Sequence, residues 1–369
     1  MGIYLLSNEK MDAMTADNLT QWKLEDDFAQ IIHDGSRSFG VLKDAHIFLT
    51  GGTGFIGTWL LEAIHFSNRT QDSNIRVTVL TRNPENFRVK NPHLFQERHF
   101  QFIAGDIINF PVGHLLKREK YTHLIHAATD ASADLNANDP LQMFDTVVLG
   151  TRQVLDFAVK SKIPRVLSLS SGAVYGQQGP EVQFVPEDYL GAPNCLNPKN
   201  TYAEAKRASE MLCAIYAKQF SLDIVVARIF ALLGPLLNLN IHFAAGNFIR
   251  DALAGKKITI SGDGRPERSY LYPSDLVVWL LAILTHGTSR QAYNLGSEEA
   301  ISIADLAKLT SSLLSDQGFE VLNLSDSGWN PGRYVPSNQL IRNSLGVVQT
   351  ISLSQAIERT AIWNGWRKS

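Results

Sequence analysis

Two side chains one helical turn apart are the first feature of this sequence that could carry out chemistry. Tyr202 and Lys206 lie four residues apart, a spacing that places both on one face of a helix. A lysine ammonium group stabilises a nearby phenolate. We therefore expect Lys206 to lower the pKa of Tyr202, which would make it a usable general acid or base. Such pairs also occur by chance on helix surfaces, so this interpretation depends on the surrounding chain.

Ser171 is the residue expected to act together with this pair. Residues 166–169 predict a strand that ends in Ser170, Ser171 and Gly172. Ligands of α/β sheets bind beyond the carboxyl ends of the strands, where the Ser171 hydroxyl would hydrogen-bond the same substrate oxygen as Tyr202. We predict Ser171, Tyr202 and Lys206 as the catalytic residues.

A glycine-rich turn supplies the second chemical feature. Residues 46–49 are an apolar run, which is followed by Gly51, Gly54 and Gly57 and then by a helical pattern. Gly51 permits a sharp turn, Gly54 lets the backbone approach a pyrophosphate, and Gly57 lets the helix pack closely on the strand. The first turn of the helix offers unpaired N–H groups to phosphates. Strand, turn and helix in this order predict a dinucleotide-binding site.

The elements that must position these residues alternate along the chain. Further strands are predicted at residues 75–80, 100–103, 123–126, 166–169 and 224–229, and long helices at residues 141–161 and 202–220. This alternation predicts an α/β fold with a Rossmann-type, doubly wound parallel sheet. The elements after residue 231 are shorter and indicate a smaller C-terminal substrate-binding lobe. We predict an N-terminal extension (1–43), a dinucleotide-binding domain (44–231) and a mainly substrate-binding lobe (232–369) with segments that return to the sheet.

The N-terminal extension contains an amphipathic helix. Leu24, Phe28, Ile31 and Ile32 lie at i, i+4, i+7 and i+8, the spacing of one helical face. Such a stripe needs burial, so we expect this helix to pack on the main domain or on a partner subunit. A mobile regulatory arm is the alternative.

Composition excludes several classes of function. The chain has 369 residues, with 34 Lys and Arg against 36 Asp and Glu. This balance provides no basic field for nucleic acid or for a membrane surface. Two cysteines, Cys195 and Cys213, form neither a disulfide framework nor a metal cluster. No apolar stretch reaches the about 20 residues that span a bilayer, and the acidic N-terminus is unlike a secretory signal. We therefore predict a cytoplasmic protein without a metal site.

Taken together, the motifs resemble those of the extended short-chain dehydrogenases/reductases, within the NAD(P)-dependent nucleoside-diphosphate-sugar epimerase/dehydratase family. The likeness spans residues 45–340. Its motifs are Gly51–Gly57, Gly105-Asp106, His126–Ala128, Ser170–Gly176, Tyr202–Lys206, Arg228–Phe230, Gly234-Pro235, Gly262–Gly264, Arg268–Tyr270 and Tyr293–Gly296.

The resemblance implies roles for the matching positions. It implies that Lys206 holds the nicotinamide ribose, that Arg268 clamps the sugar-nucleotide diphosphate, and that the chain forms a homodimer. The implied cofactor contacts are Gly51, Gly54, Phe55, Ile56, Gly57, Asp106, Ile107, Ala127, Ala128, Thr129, Ser170, Tyr202, Lys206 and Ile229. The implied substrate contacts are Ser171, Asn247, Phe248, Arg268 and Arg333.

The strand-end motif departs from the pattern of this family at two positions. The 4,6-dehydratases carry an acidic pair where this chain has Gly172 and Ala173, and neither of these side chains can transfer a proton. The same missing glutamate argues against the uronate decarboxylases, although Glu181 or Glu187 in the following loop is a possible substitute. We therefore predict an oxidoreductase acting at C4 of a nucleoside-diphosphate sugar, with a 4-ketoreductase slightly favoured. The alternatives are a 4-epimerase, then a 4,6-dehydratase, or a non-catalytic dinucleotide-binding module.

The end of the second strand bears on the choice of cofactor. NAD sites usually place an acidic residue there to hold the ribose hydroxyls, whereas this chain has Leu80-Thr81-Arg82-Asn83. Arg82 could pair with a 2′-phosphate, and no carboxylate would repel that phosphate. The sequence predicts NAD(P) as cofactor, with NADP(H) favoured. The alternative is that Arg82 stacks on adenine or faces solvent while NAD binds.

Overall fold

The computed structural model describes residues 22–110, 112–116, 120–129, 133–240, 243–323 and 332–367. The strands are β1 His46–Thr50, β2 Arg76–Thr81, β3 Phe100–Ala104, β4 His123–His126, β5 Arg165–Ser171, β6 Asp223–Ile229, β7 Ile258–Ile260, β8 Glu267–Arg268, β9 Ala292–Leu295, β10 Ile301–Ser302, β11 Phe319–Val321 and β12 Arg333–Tyr334. The helices are α1 Leu24–Asp34, α2 Ser36–Leu42, α3 Phe55–Gln71, α4 Pro84–Lys90, α5 Pro92–Phe95, α6 Val112–Leu116, α7 Ala133–Asn138, α8 Pro140–Lys160, α9 Thr201–Gln219, α10 Ala244–Leu253, α11 Pro273–His286, α12 Ile303–Leu314, α13 Gln339–Leu345 and α14 Leu353–Trp363.

A seven-stranded parallel sheet in the order β3-β2-β1-β4-β5-β6-β9 forms the centre of the molecule. Its inner strands are buried along most of their length, as expected for strands that helices cover on both faces, and every residue of β1 is buried. The strand order reverses between β1 and β4, where Thr50 lies beside His126. Ligands of such sheets bind outside the strand ends at this switch point.

The predicted α/β fold with its parallel sheet is confirmed. Each strand predicted between residues 75 and 229 is present, with its ends displaced by no more than two residues. The long helices also match, as α8 and α9. Periodicity is reliable here because these elements are long and bury one whole face or both.

The C-terminal part of the chain only partly leaves the central sheet. β9 returns to pair with β6, and α11 is buried along most of its length. The other strands of this part form two small sheets, β10-β8-β12 and β11-β7. The strands β8, β10 and β12 have two residues each, which is too short for any sequence period to predict. The division at residue 231 stays a proposal.

The N-terminal helix is present and packs on the main body of the same chain. Phe28, Ile31 and Ile32 are buried against α3 and α11. Asp27 is buried as well and accepts hydrogen bonds from Tyr272 Oη and Arg359 Nη1, both at 2.5 Å. Residues 1–21 of the predicted extension lie outside the described residues. Among the described helices, none combines the length and apolar character needed to cross a membrane.

Candidate active site

The structure brings the predicted catalytic residues together at the carboxyl end of β5. Ser171 is the last residue of β5, and its Oγ accepts a hydrogen bond from the Ala173 N–H at 3.2 Å. Tyr202 lies in the first turn of α9, where the Ser171 hydroxyl is close enough to lower its pKa. Lys206 lies one turn later, with its Nζ 5.9 Å from the centroid of the Tyr202 ring. Three polar groups from two elements therefore meet at one point.

Burial sets the protonation of this group, and one expectation from the sequence is wrong. Burial raises the pKa of Tyr202, and the nearby Ser171 hydroxyl only partly opposes that effect. Lys206 donates to the Leu169 carbonyl at 2.8 Å, and burial lowers the pKa of Lys206 to about 8. The expected lowering of the Tyr202 pKa does not occur, because removal from water is the larger effect.

The glycine turn has the geometry of a phosphate cradle. Gly51 has a φ of +72°, and a Cβ there would lie 2.6 Å from the Ala127 carbonyl oxygen. A Cβ on Gly57 would lie 2.3 Å from the Gly51 oxygen, whereas one on Gly54 would meet only that oxygen, at 3.4 Å. The side of Gly54 is open, and it precedes α3 without a side-chain cap. The N–H groups of this turn can therefore bind an anion.

The end of β4 supplies a second part of the same cradle. Thr50 Oγ1 accepts a hydrogen bond from the Ala128 N–H at 3.2 Å, and the Thr50 carbonyl accepts one from Ala127. Within the described part of the chain, the buried Thr129 Oγ1 has no hydrogen-bond partner. A buried hydroxyl without a partner is costly, and a ribose hydroxyl would satisfy it. The residues at the switch point fit a dinucleotide.

The remaining predicted cofactor residues lie on several neighbouring elements. Phe55 and Ile56 are partly buried in the first turn of α3. Ile107 is buried against Gly150, while the exposed Asp106 accepts a hydrogen bond from the Ile108 N–H at 2.9 Å.

The other three predicted cofactor residues, which are Arg82, Ser170 and Ile229, lie at the ends of strands. Arg82 is exposed immediately after β2. Ser170 donates to Glu210 Oε1 at 2.5 Å, and Ile229 lies beside Ser171 in the β5–β6 register.

The predicted substrate residues divide into two groups. Arg268 is the register partner of Tyr334 in the β8–β12 pair, and its charge acts on the phenols of Tyr270 and Tyr334. Arg333 lies on the opposite face of β12, because successive strand residues alternate. It forms an ion pair with Glu267 and donates to the Gln183 carbonyl at 2.7 Å.

The two residues from α10 are also engaged within the protein. Asn247 Oδ1 accepts a hydrogen bond from Arg250, and the Phe248 side chain belongs to the hydrophobic core. The substrate roles of Arg333, Asn247 and Phe248 stay predictions.

Tyr334 is the residue at this site that the sequence did not reveal. Its hydroxyl lies 2.7 Å from the point where a Cβ on residue 172 would stand, next to Ser171 in the chain. Its ring packs on Phe230 with centroids 4.6 Å apart. Burial raises the pKa of Tyr334 above its ordinary value. The two-residue strand that carries it has no periodic signal, and its packing on Phe230 beside Gly172 joins distant parts of the chain.

The space where relatives would carry an acidic pair is filled with aromatic side chains. A Cβ on Gly172 would lie 2.6 Å from Phe230 Cζ and 2.7 Å from the Tyr334 hydroxyl. Glu187, one of the possible substitutes from the loop, accepts a hydrogen bond from the Asn294 N–H at 2.9 Å. Glu187 therefore holds β9, and burial raises its pKa.

A buried polar network supports the site from behind. Arg228 forms an ion pair with Glu210 at 2.7 Å and donates to Tyr175 Oη at 2.8 Å. Tyr175 donates in turn to Asn294 Oδ1 at 2.8 Å, and burial raises the pKa of Tyr175 to about 12. This network joins β6, α9 and β9 to the turn after β5, so it fixes the strand end on which Ser171 lies. In the described part of the chain, no group of three or more His, Cys, Asp and Glu side chains is arranged to hold a metal ion.

Comparisons with known proteins agree with this arrangement. The model of the NAD dependent epimerase/dehydratase family matches residues 47–296. The chain is 31% identical over 318 residues to UDP-glucuronic acid decarboxylase 1 of Xenopus tropicalis, a match that covers 85% of this chain and 70% of that protein. UDP-glucose 4-epimerase of Thermotoga maritima superposes with a TM-score of 0.73 at 21% identity, covering 86% of this chain and 98% of that one. UDP-glucuronic acid 4-epimerase of Bacillus cereus, solved with UDP-glucuronic acid and NAD, gives 0.72 at 25% identity with the same coverage.

Proposed function

Because this chain belongs to the NAD-dependent epimerase/dehydratase family of the extended short-chain dehydrogenases/reductases, we propose that it is an oxidoreductase acting at C4 of a nucleoside-diphosphate sugar. The observation that carries the proposal is the meeting of Ser171, Tyr202 and Lys206 at the end of β5, beside a turn that fits a dinucleotide. The bound nicotinamide supplies the hydride chemistry. The protein positions the substrate and the cofactor, and it supplies a proton.

Each residue of the group has a distinct task in this proposal. Tyr202 passes a proton between its Oη and the C4 oxygen, and Ser171 hydrogen-bonds the same region. Lys206 holds the nicotinamide ribose and, when charged, favours the Tyr202 phenolate. Arg268, which lies on the Tyr334 face of the small sheet, contacts the diphosphate through its planar, charged guanidinium group.

Among reactions at C4, we favour reduction of a 4-ketone. The strand end after β2 carries Arg82 and no acidic residue, which suits NADP(H), a cofactor that exchanges in every turnover. A 4-epimerase is the second candidate and is favoured by the likeness to the Bacillus cereus UDP-glucuronic acid 4-epimerase. Both reactions use the same residues and differ in whether the product leaves after one hydride step.

Reactions that need a second acid or base at the strand end receive less support. The likeness to UDP-glucuronic acid decarboxylases favours a decarboxylase, yet Gly172 and Ala173 carry no ionisable group and aromatic rings fill the space above Gly172. Incubation with UDP-glucuronic acid and NAD separates the candidates. Release of carbon dioxide would identify a decarboxylase, whereas a change at C4 with the carboxylate retained supports our proposal.

The nucleotide held by the purified protein tests the direction of the reaction. We would denature the protein and identify any nucleotide that is released. An empty site that binds NADPH from solution supports the ketoreductase, because its cofactor exchanges in every turnover. Tightly retained NAD would instead support an internal oxidation and reduction cycle, as in an epimerase, and would contradict the preference for NADP(H).

The preference for NADP(H) depends on Arg82 and on the absence of an acidic residue after β2. We expect Arg82→Ala to weaken NADPH binding about tenfold, the loss of one charge-assisted hydrogen bond, and to change NADH binding by less than about twofold. Fluorescence titration with both nucleotides measures this. Arg88→Ala is the matched control, since Arg88 is an exposed arginine of α4 paired with Glu85. Unchanged NADPH affinity in Arg82→Ala would contradict the preference.

We further propose that two chains associate through α8 and α9. Leu141 and Phe144 on α8 and Met211 and Ile215 on α9 are exposed apolar side chains on two helices that pack against each other. Apolar side chains grouped on adjacent helices favour a protein interface. A cytoplasmic location stays a prediction from composition.

A further inference from the structure

The helix that carries Tyr202 begins without a cap of its own. The N–H groups in the first turn of a helix have no partner inside that helix, and the side chain of the preceding residue often accepts from one of them. At α9 that residue is Asn200, whose side chain makes no such bond and instead donates to the Asn194 carbonyl at 3.0 Å. Residues 194–199 are all exposed, so burial does not fix the start of α9 either.

Another helix supplies the missing cap. The Oδ1 atom of Asn136 on α7 accepts a hydrogen bond from the Tyr202 N–H at 3.0 Å. The Nδ2 atom of the same side chain donates to the Lys199 carbonyl at 3.1 Å. One bond needs an acceptor and the other needs a donor, so a single orientation of the amide group satisfies both. Asn136 therefore ties the start of α9 to α7 through two backbone groups.

The residue that is held in this way is the proposed proton donor itself. Asn136 fixes the backbone of Tyr202. The side chain of Tyr202 packs against the buried cluster of Met143, Val147 and Ala205. The first two of these residues belong to α8. The backbone and the side chain of Tyr202 are thus held by different helices, and together they set the direction of its hydroxyl.

The place of α7 in the chain connects this contact to the cofactor site. α7 lies in the connection between β4 and α8, which begins with the predicted cofactor contacts at residues 127–129. Asn136 therefore joins the segment that would hold the cofactor to the helix that would deliver the proton. Proton transfer needs both oxygens within hydrogen-bond reach, and a displacement of about 1 Å costs up to about 100-fold in rate.

We propose that Asn136 is a positioning residue for the reaction at C4: it holds the first turn of α9 through the Tyr202 N–H, so that the Tyr202 hydroxyl lies at the reacting oxygen. Asn136 acts through backbone groups and transfers no proton itself. The inference deepens the proposed function and rests on it for its catalytic meaning. The contact between Asn136 and α9 is measurable without any substrate.

Three variants separate positioning from general stability. Asn136→Ala removes both hydrogen bonds. Asn136→Asp keeps an oxygen for the Tyr202 N–H, and aspartate caps a helix about as well as asparagine does. Its negative charge also suits the positive end of the helix. Asn138→Ala is the matched control, because Asn138 is exposed at the end of the same helix.

Exchange of the Tyr202 amide hydrogen with solvent tests the contact directly. The chain has 10 tyrosines, so selective isotopic labelling of tyrosine leaves few amide signals, and the Tyr202 signal is assigned by its loss in Tyr202→Phe. Asn136→Ala should speed this exchange about tenfold, the loss of one hydrogen bond. Asn136→Asp and Asn138→Ala should exchange like the wild-type protein. Unchanged exchange in Asn136→Ala would overturn the proposal.

Turnover then tests the catalytic consequence. With UDP-glucose or UDP-glucuronic acid and NAD, we would follow reduced nicotinamide in a single turnover. Asn136→Ala should lower the rate constant at saturating sugar about 10-fold to 100-fold, with KM and the cofactor Kd changed less than about twofold. Asn136→Asp should stay within about fivefold of the wild-type rate constant, and Asn138→Ala should match it.

An equal loss of rate in Asn136→Ala and Asn136→Asp would contradict the positioning role, because the retained oxygen would then have no effect. A higher KM with an unchanged rate constant would contradict it as well, since it would indicate a role in binding. Failure of the wild-type protein to react with any nucleotide sugar would count against the proposed function. The amide exchange would still decide whether Asn136 holds Tyr202.

Discussion

At the level of single residues, the chemistry of this site depends on burial as much as on charge. Tyr202 and Lys206 occupy the positions that a catalytic pair requires, yet burial raises the pKa of the phenol and lowers that of the lysine to about 8. Both shifts favour the neutral forms, as removal from water should. The free protein therefore holds a protonated phenol ready to donate.

Replacement of Tyr202 tests whether this phenol carries the reaction. We expect Tyr202→Phe to lower kcat about 100-fold to 10,000-fold, the usual contribution of a general acid or base, while the cofactor Kd changes less than about twofold. Steady-state kinetics and nucleotide titration measure the two effects. Tyr189→Phe serves as the control, since its hydroxyl faces Gly179. A kcat that is unchanged in Tyr202→Phe would contradict the role of Tyr202 as the proton donor.

At the level of elements, a buried ion pair fastens the N-terminal helix to the core. Asp27 on α1 accepts hydrogen bonds from Arg359 on α14 and from Tyr272, which precedes α11. Burial nevertheless raises the pKa of Asp27 in spite of Arg359. The pair therefore specifies where α1 docks more than it adds net stability.

Loss of one partner of this pair should be costly. Asp27→Ala leaves Arg359, which is 7% exposed, without its carboxylate, and we expect the free energy of unfolding to fall by about 3–5 kcal/mol. Glu25→Ala, an exposed change in the same helix, should cost less than about 0.5 kcal/mol. Denaturant unfolding compares the two variants. Equal stabilities would show that Asp27 does not fasten α1.

At the level of the whole molecule, one sheet assembles both parts of the site. The glycine turn follows β1, Ala127 and Ala128 follow β4, and Ser171 ends β5, so the proposed cofactor and catalytic groups lie at one edge. The short strands β8 and β12, from the C-terminal part of the chain, lie beside that edge. The helices α8 and α9, whose outer surfaces form the proposed dimer interface, also support this edge of the sheet.

The proposed dimer gives a prediction at this scale. Ile215 and Met211 lie one turn apart on α9 and are exposed, so Ile215→Asp should place a charge in the interface and yield monomers. Light scattering after size-exclusion chromatography measures the mass. Val89→Asp is the control, since Val89 is exposed on α4. The same mass for both variants and for the wild-type protein would contradict an interface at α9.

Much of this molecule follows from local sequence. The strands before residue 230, the glycine turn and the helix that carries Tyr202 and Lys206 each have a pattern that extends over neighbouring residues. Parallel strands must present their carboxyl ends at one edge, so these patterns also determine that Ser171 and the glycine turn lie at the same edge of the sheet. The amphipathic stripe of α1 determines that this helix is buried.

Tertiary structure alone decided the rest. The sign of the Tyr202 pKa shift depends on how much water is excluded around it, which no spacing encodes. Tyr334 reaches the site through a two-residue strand, and Gly172 has no room for a side chain because Phe230 and Tyr334 occupy the space above it. Arg333 precedes Tyr334 in that strand, where successive side chains point to opposite faces, and it therefore pairs with Glu267. Burial and contacts between distant residues arise when the whole chain packs, so these features had no local signal.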